Sequence, residues 1–217
     1  MRNKEKVHEF ACQIKHDMIS GVLGAWKKII PFTLLIIAFC FYISVECVNL
    51  RDIGYVTGEP TTTDMLLYIL RGMREYIPEL DYSFEIPVTW LIMQLYIAFV
   101  IGNYASKDMG SYGQQFLLRS TKKSYWFLSK CIYCLVNVLV YYFTTFILVS
   151  ICSNFLGDFS FTLSLDIGSY MSEIDTTLFS SVSFICHIVV LPILTSIVMS
   201  LIQMLLSLYV KPTLSFA

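Results

Sequence analysis

Residues 29–49 read IIPFTLLIIAFCFYISVECVN, an apolar run whose one ionisable carboxylate, Glu46, stands near its far end. A helix rises about 1.5 Å per residue and the hydrocarbon core of a bilayer is roughly 30 Å thick, so about 20 such residues make one crossing. Three more runs share this character, at 86–105, 125–155 and 178–210, and each is bounded by charge. Inside lipid a helix satisfies its backbone hydrogen bonds within itself. The pattern therefore reads as an all-α polytopic membrane protein with four transmembrane helices.

Composition agrees. The chain has 217 residues, 56% of them hydrophobic and only 14% charged, against about 25% charged in a soluble domain. Once the four runs are removed, little is left to build a soluble domain. The seven cysteines are odd in number, and most sit in or beside apolar runs. A thiol there behaves as a small hydrophobe, so they read as reduced packing residues rather than a disulfide framework. A polar and amphipathic stretch precedes the first run and no small-residue cleavage site follows it, so that run reads as a retained span.

Charge gives the topology. Lys and Arg collect on the side that is not translocated. Arg2, Lys4, Lys6, Lys15, Lys27 and Lys28 precede the first span. In the next loop Arg51, Arg71 and Arg74 are outnumbered by acids. Lys107, Arg119, Lys122 and Lys123 follow span two with Asp108 as the only acid, the next loop has acids alone, and Lys211 follows span four. The alternation places the N-terminus in the cytoplasm. The segments expected are a cytoplasmic amphipathic helix over 1–28, span one over 29–49, an outer loop over 50–85 and span two over 86–105. An inner loop then covers 106–124, span three 125–155, a second outer loop 156–177 and span four 178–210, with 211–217 as the opening of a fifth span. Pro192 lies inside the fourth run and is positioned to kink it.

Three segments outside the spans carry patterns of their own. Phe10, Ile14, Met18 and Trp26 belong to an apolar stripe at helical spacing, with Gln13 and Asp17 elsewhere on the wheel. Beside Lys27 and Lys28 this reads as a helix lying in the cytoplasmic interface. The competing reading is a cytosolic helix packed on the protein's own loops. In the first outer loop, Thr61, Thr62 or Thr63 is placed to cap a helix with Asp64 at its positive end. Met65, Leu66, Ile69, Leu70, Met73 and Ile77 form its stripe and Pro78 its stop. In the inner loop, Gly110 and Gly113 allow sharp turns while Phe116, Leu117 and Leu118 offer apolar surface. A short helix there would suit docking to a soluble partner, and folding back onto the headgroups accounts for the composition equally well.

The sequence holds no phosphate-binding G-x-x-x-x-G-K-[ST] loop, no H-E-x-x-H pair and no G-x-S-x-G elbow. Cys131-x-x-Cys134 is a lone pair, short of the ligands a zinc site needs. No catalytic residue and no metal site is therefore expected in this chain. The polar residues within spans are Glu46, Gln94, Asn103, Asn137, His187 and Gln203. In hydrocarbon such groups turn toward other helices or a wet pathway. For Gln94 and Asn137, hydrogen bonding between helices is the favoured reading.

One stretch carries a resemblance. Asn103-Tyr104, Lys107-Asp108, Tyr112-Gly113-Gln114, Arg119-Ser120 and Trp126-Phe127-Leu128-Ser129-Lys130, together with the tail 201–208 and Lys211-Pro212, resemble the permease subunits of ABC-2 type transporters. The resemblance implies a six-span permease of the bacterial cytoplasmic membrane that works as a pair, with a second copy or a paralogue. It implies a separate ABC ATPase subunit that carries ATP and Mg, with lipid as the other partner and no role for nucleic acid. It makes the N-terminal helix a connecting helix. It also places Met109, Gly110, Tyr112, Gly113, Gln114 and Arg119 near the ATPase as the coupling element. The expected activity is export of a peptide or other amphipathic compound. The alternatives are a non-transporting scaffold, immunity or sensor-regulating protein, and a membrane-embedded enzyme acting on lipids.

Overall fold

A computed structural model describes residues 10–22, 24, 26–72, 86–119, 123–163, 167 and 186–209. Its elements are α1 (Asp17–Val22), α2 (Trp26–Asp52), α3 (Thr62–Leu70), α4 (Val88–Met109), α5 (Tyr112–Arg119), α6 (Lys123–Leu156), α7 (Cys186–Val190) and α8 (Leu191–Tyr209). The short α1 and α7 are wound as π-helix, and residues 10–16 lead helically into α1. No strand occurs among the described residues. The protein is all-α, and α2, α4, α6 and the continuous stretch His187–Tyr209 are each long and apolar enough to cross a membrane.

The first three apolar runs match α2, α4 and α6 to within a few residues, and the fourth covers α7 and α8. The largest difference lies at the inner loop expected over 106–124. There α4 continues to Met109, a turn follows at Gly110 and Ser111, α5 forms over Tyr112–Arg119, and α6 begins at Lys123. Residues 178–185 and 211–217 lie outside the described residues, as do Met73, Ile77 and Pro78. The outer-loop helix ends at Leu70, where Arg71 turns to an extended backbone and its N–H closes on the Leu67 carbonyl at 2.8 Å. Pro192 withholds the N–H that the Ile188 carbonyl would receive. The chain winds as π-helix over that turn and becomes α-helical from Leu191.

The chain divides into two compact units, residues 1–30, 94–141 and 195–217 in the first and 31–93 and 142–194 in the second. In the first unit α4 packs on α8 through small and polar residues. Ser196, Ser200, Gln203 and Ser207 recur at helical spacing on α8 and are all buried. Ser196 donates to the Gln94 side-chain oxygen. Ser207 donates to the Gly102 carbonyl at 2.8 Å, and a side chain on Gly102 would run into Gln203. Small residues permit this close approach in a membrane, where no hydrophobic force drives helices together.

In the second unit α3 is capped by Thr61, one of the three threonines that the sequence offers. The Thr61 hydroxyl accepts from the Asp64 N–H at 3.2 Å, and Asp64 Oδ2 accepts from the Thr61 N–H at 3.1 Å. The helix is buried well beyond one stripe, with Thr62, Asp64, Met65, Leu67, Ile69 and Leu70 all enclosed. Thr62 and Ser153 share a hydrogen bond of 2.7 Å, and the Tyr68 carbonyl accepts from Thr89 at 3.3 Å. Nearby, α2 terminates on Gly54, whose positive φ of 86° only glycine adopts cheaply.

Candidate functional site

The first unit buries three charged side chains in mutual contact. Asp17 opens α1, Asp108 lies in the last turn of α4, and Lys130 stands early in α6. Lys130 Nζ donates to Asp17 Oδ1 at 2.5 Å and is paired with Asp108 Oδ2 at 2.7 Å. The side chains of Lys130, Asp17 and Asp108 are 1%, 0% and 4% exposed. Trp126 Nε1 donates to Asp108 Oδ2 at 3.0 Å, the Ser129 hydroxyl to Asp17 Oδ2 at 2.8 Å, and the Tyr104 hydroxyl to Asp17 Oδ1 at 3.1 Å. The Lys130 ammonium also lies over the Tyr104 ring at 4.8 Å and the Trp126 ring at 5.4 Å, where the ring faces attract a cation.

Local sequence explains why the groups converge. Trp126, Ser129 and Lys130 lie one turn apart on α6, so one helical face delivers two donors and the cation. Asp108 sits at the negative end of the α4 dipole, an unfavourable place for a carboxylate that Lys130 offsets. Gly113 of α5 lies directly beneath. A Cβ added there would come within 2.5 Å of Asp108 Oδ2 and 2.7 Å of Trp126 Nε1. Gly21 does the same for α1, since a side chain there would enter the Tyr133 ring, itself stacked on Tyr104 with centroids 4.1 Å apart.

The N-terminal helix thus turns its polar side into the protein. Gln13, Asp17 and Gly21 are buried, Gln13 Nε2 reaches Asp17 Oδ1 at 3.4 Å, and Ser20 hydrogen-bonds the Tyr104 hydroxyl at 3.0 Å. Phe10, Ile14 and Met18 are half-buried. The Phe10 ring lies 5.4 Å from that of Tyr125, and Trp26 is 57% exposed. The apolar stripe is only half-buried, while Gln13 and Asp17, which the wheel assigns to water, are enclosed.

The electrostatics fix geometry more than they add stability. At these separations each attraction is worth about 6 kcal/mol with an effective dielectric constant near 20. Removing each ion from water costs several kcal/mol in return. Two carboxylates against one ammonium leave one negative charge. His16 Nδ1, 3.6 Å from Asp17 Oδ1 and partly exposed, is placed to offset it when protonated. His16, Asp17 and Asp108 hold ligand atoms within 4.8 Å of one another, a spacing compatible with a metal ion. The Lys130 ammonium already stands between the two carboxylates and fills the cation's role.

The residues expected to couple to a partner divide into two groups. Gly113 is buried against the cluster, whereas Met109, Gly110 and Gln114 are exposed beside it. Tyr112 and Arg119 bound α5, and their side chains lie outside the described residues. Of the polar residues in spans, Gln94 is bonded to Ser196, and Asn137 donates to the Tyr133 carbonyl of its own helix at 2.9 Å. Asn103 keeps a buried side-chain oxygen without a hydrogen-bond partner. His187 is exposed on α7. None of Asp17, Asp108 and Lys130 is among the site residues that the sequence suggests. The signal was present in Lys130, a lysine inside the third apolar run that has to find a counter-charge.

Residues 66–217, more than half of the chain, match the model of a family described as proteins of unknown function, DUF2705. The chain belongs to the DUF2705 family. No curated protein and no solved structure matches it. Asp108, Gly113, Trp126, Ser129 and Lys130 lie within the DUF2705 segment, and Asp17 precedes it.

Proposed function

We propose that this DUF2705 protein is the membrane-spanning permease subunit of an ABC transporter. It would export a peptide or other amphipathic compound across the bacterial cytoplasmic membrane, paired with a second permease, while a separate subunit binds ATP and Mg. One observation carries the reading. The short exposed helix α5 is seated through Gly113 on Asp108 and Trp126, and Asp108 is locked through Lys130 to Asp17 of the N-terminal helix. A push on α5 would move α6 and α1 with it. The residues that form this linkage, apart from Asp17, lie in the stretch whose pattern resembles ABC-2 permeases.

The docking surface is the outer side of α5, where Leu118 is 81% exposed and Met109, at the end of α4, is 42% exposed. A photo-crosslinker at Leu118, in protein expressed in its native cells, should capture a chain carrying a G-x-x-x-x-G-K-[ST] loop. Leu118→Asp should cut recovery of that chain and of ATPase activity at least tenfold, with the permease still inserted. Capture of no such chain by the wild-type surface would favour the non-transporting scaffold, immunity or regulatory reading.

A further inference from the structure

At the Asp52 end of α2, within the second unit, lies a cavity of about 290 Å³. Val45 and Val48 of α2 and Leu156 of α6 form its apolar wall, and Val45 and Val48 are exposed. Asn49 also lines it, as do Arg51 and Glu59, whose side chains are exposed. From Val45 to Arg51 the helix rises about 9 Å. The order along that rise is apolar wall, amide, then charge, which is the order of acyl chain, glycerol backbone and headgroup in a phospholipid.

The two charges form a loose, exposed ion pair. Arg51 Nη1 and Glu59 Oε1 are 3.8 Å apart, beyond hydrogen-bond length, and the side chains are 44% and 60% exposed. An exposed pair of that kind contributes little and readily exchanges partners. A guanidinium takes a phosphate with two parallel hydrogen bonds, and a carboxylate takes a primary ammonium. The rim therefore complements a zwitterion whose anion is a phosphate and whose cation still carries N–H groups.

We infer that this groove holds one phosphatidylethanolamine molecule from the leaflet at the Asp52 end of α2. Its phosphate rests on Arg51 and Asn49, its ammonium on Glu59, and one acyl chain lies along Val45, Val48 and Leu156. Phosphatidylcholine offers the same phosphate with no N–H for Glu59. Phosphatidylglycerol leaves the Glu59 charge unanswered. A soluble partner is disfavoured because the apolar wall belongs to the part of α2 that spans the bilayer. The inference does not use the ATPase reading and stands or falls apart from it.

Delipidated full-length protein, titrated with each lipid and read by native mass spectrometry, tests it. Phosphatidylethanolamine should bind at least fivefold more tightly than the other two. Glu59→Lys should invert the order in favour of phosphatidylglycerol. Val48→Trp fills the groove and keeps the rim, and it should lower phosphatidylethanolamine retention at least fivefold with an unchanged elution volume. Equal retention of the three lipids by the wild type, or an unaltered order in Glu59→Lys, overturns the inference.

Discussion

Lys130 is the residue on which the buried cluster turns, because its ammonium is shared by two carboxylates. Lys130→Met leaves Asp17 and Asp108 buried and uncompensated, which costs about 3–5 kcal/mol. Asp17→Asn leaves the Lys130–Asp108 pair intact but takes the charge from the Asp17–Lys130 pair and from the bonds to Ser129 and Tyr104, for about 1–3 kcal/mol. The double variant Asp17→Asn/Lys130→Met has the same net charge at the cluster as the wild type. It should be more stable than Lys130→Met alone, a coupling that a double-mutant cycle reads directly. Thermal unfolding in detergent gives the ranking. If Lys130→Met is no more damaging than Asp17→Asn, the lysine does not hold both acids in the folded protein.

At the scale of elements, α3 tests whether a short buried helix relies on its cap. Both halves of the capping box are present at Thr61 and Asp64, and the Thr61 hydroxyl also lies 2.8 Å from the Thr162 carbonyl. Thr61→Ala should cost about 1 kcal/mol, read as faster hydrogen exchange at the first amides of α3 while α6 is unaffected. Unchanged exchange at the Asp64 amide would mean that packing around α3 holds its first turn without the cap. Hydrophobic run length located the long helices among the described residues, because the bilayer sets a length that few other constraints impose. The start of α3 was legible for a similar reason, as a run of threonines ahead of an acid is a local chemical signal, but which of Thr61, Thr62 and Thr63 caps it was not. The face of the N-terminal helix was not legible. A helical wheel sends Asp17 to water, and only the lysine of a helix more than a hundred positions away makes its burial favourable. Gly113 suggested a turn by composition, yet it and Gly21 are small because a carboxylate or a ring lies against each.

For the whole molecule, the sharpest consequence is which ends of the helices share a side. The basic stretches before α2 and between α4 and α6 alternate with acidic loops, and Lys and Arg are retained on the side that is not translocated. The cluster independently requires that Asp17, the end of α4 and the start of α6 lie at one depth, since they touch. Two lines of reasoning, one from charge counting and one from contacts, therefore put α1, α5 and the α6 start together. A single cysteine introduced at Ser124 in a cysteine-free background should react with a membrane-impermeant maleimide only after the cells are permeabilised. One introduced at Phe161, an exposed residue beyond the other end of α6, should react in intact cells. Spanning by α6 demands opposite answers at these two positions, because its 34 residues extend about 50 Å, well beyond the hydrocarbon core. Equal labelling at both sites in intact cells would remove α6 as a crossing, and with it the shared side on which the proposed ATPase would act.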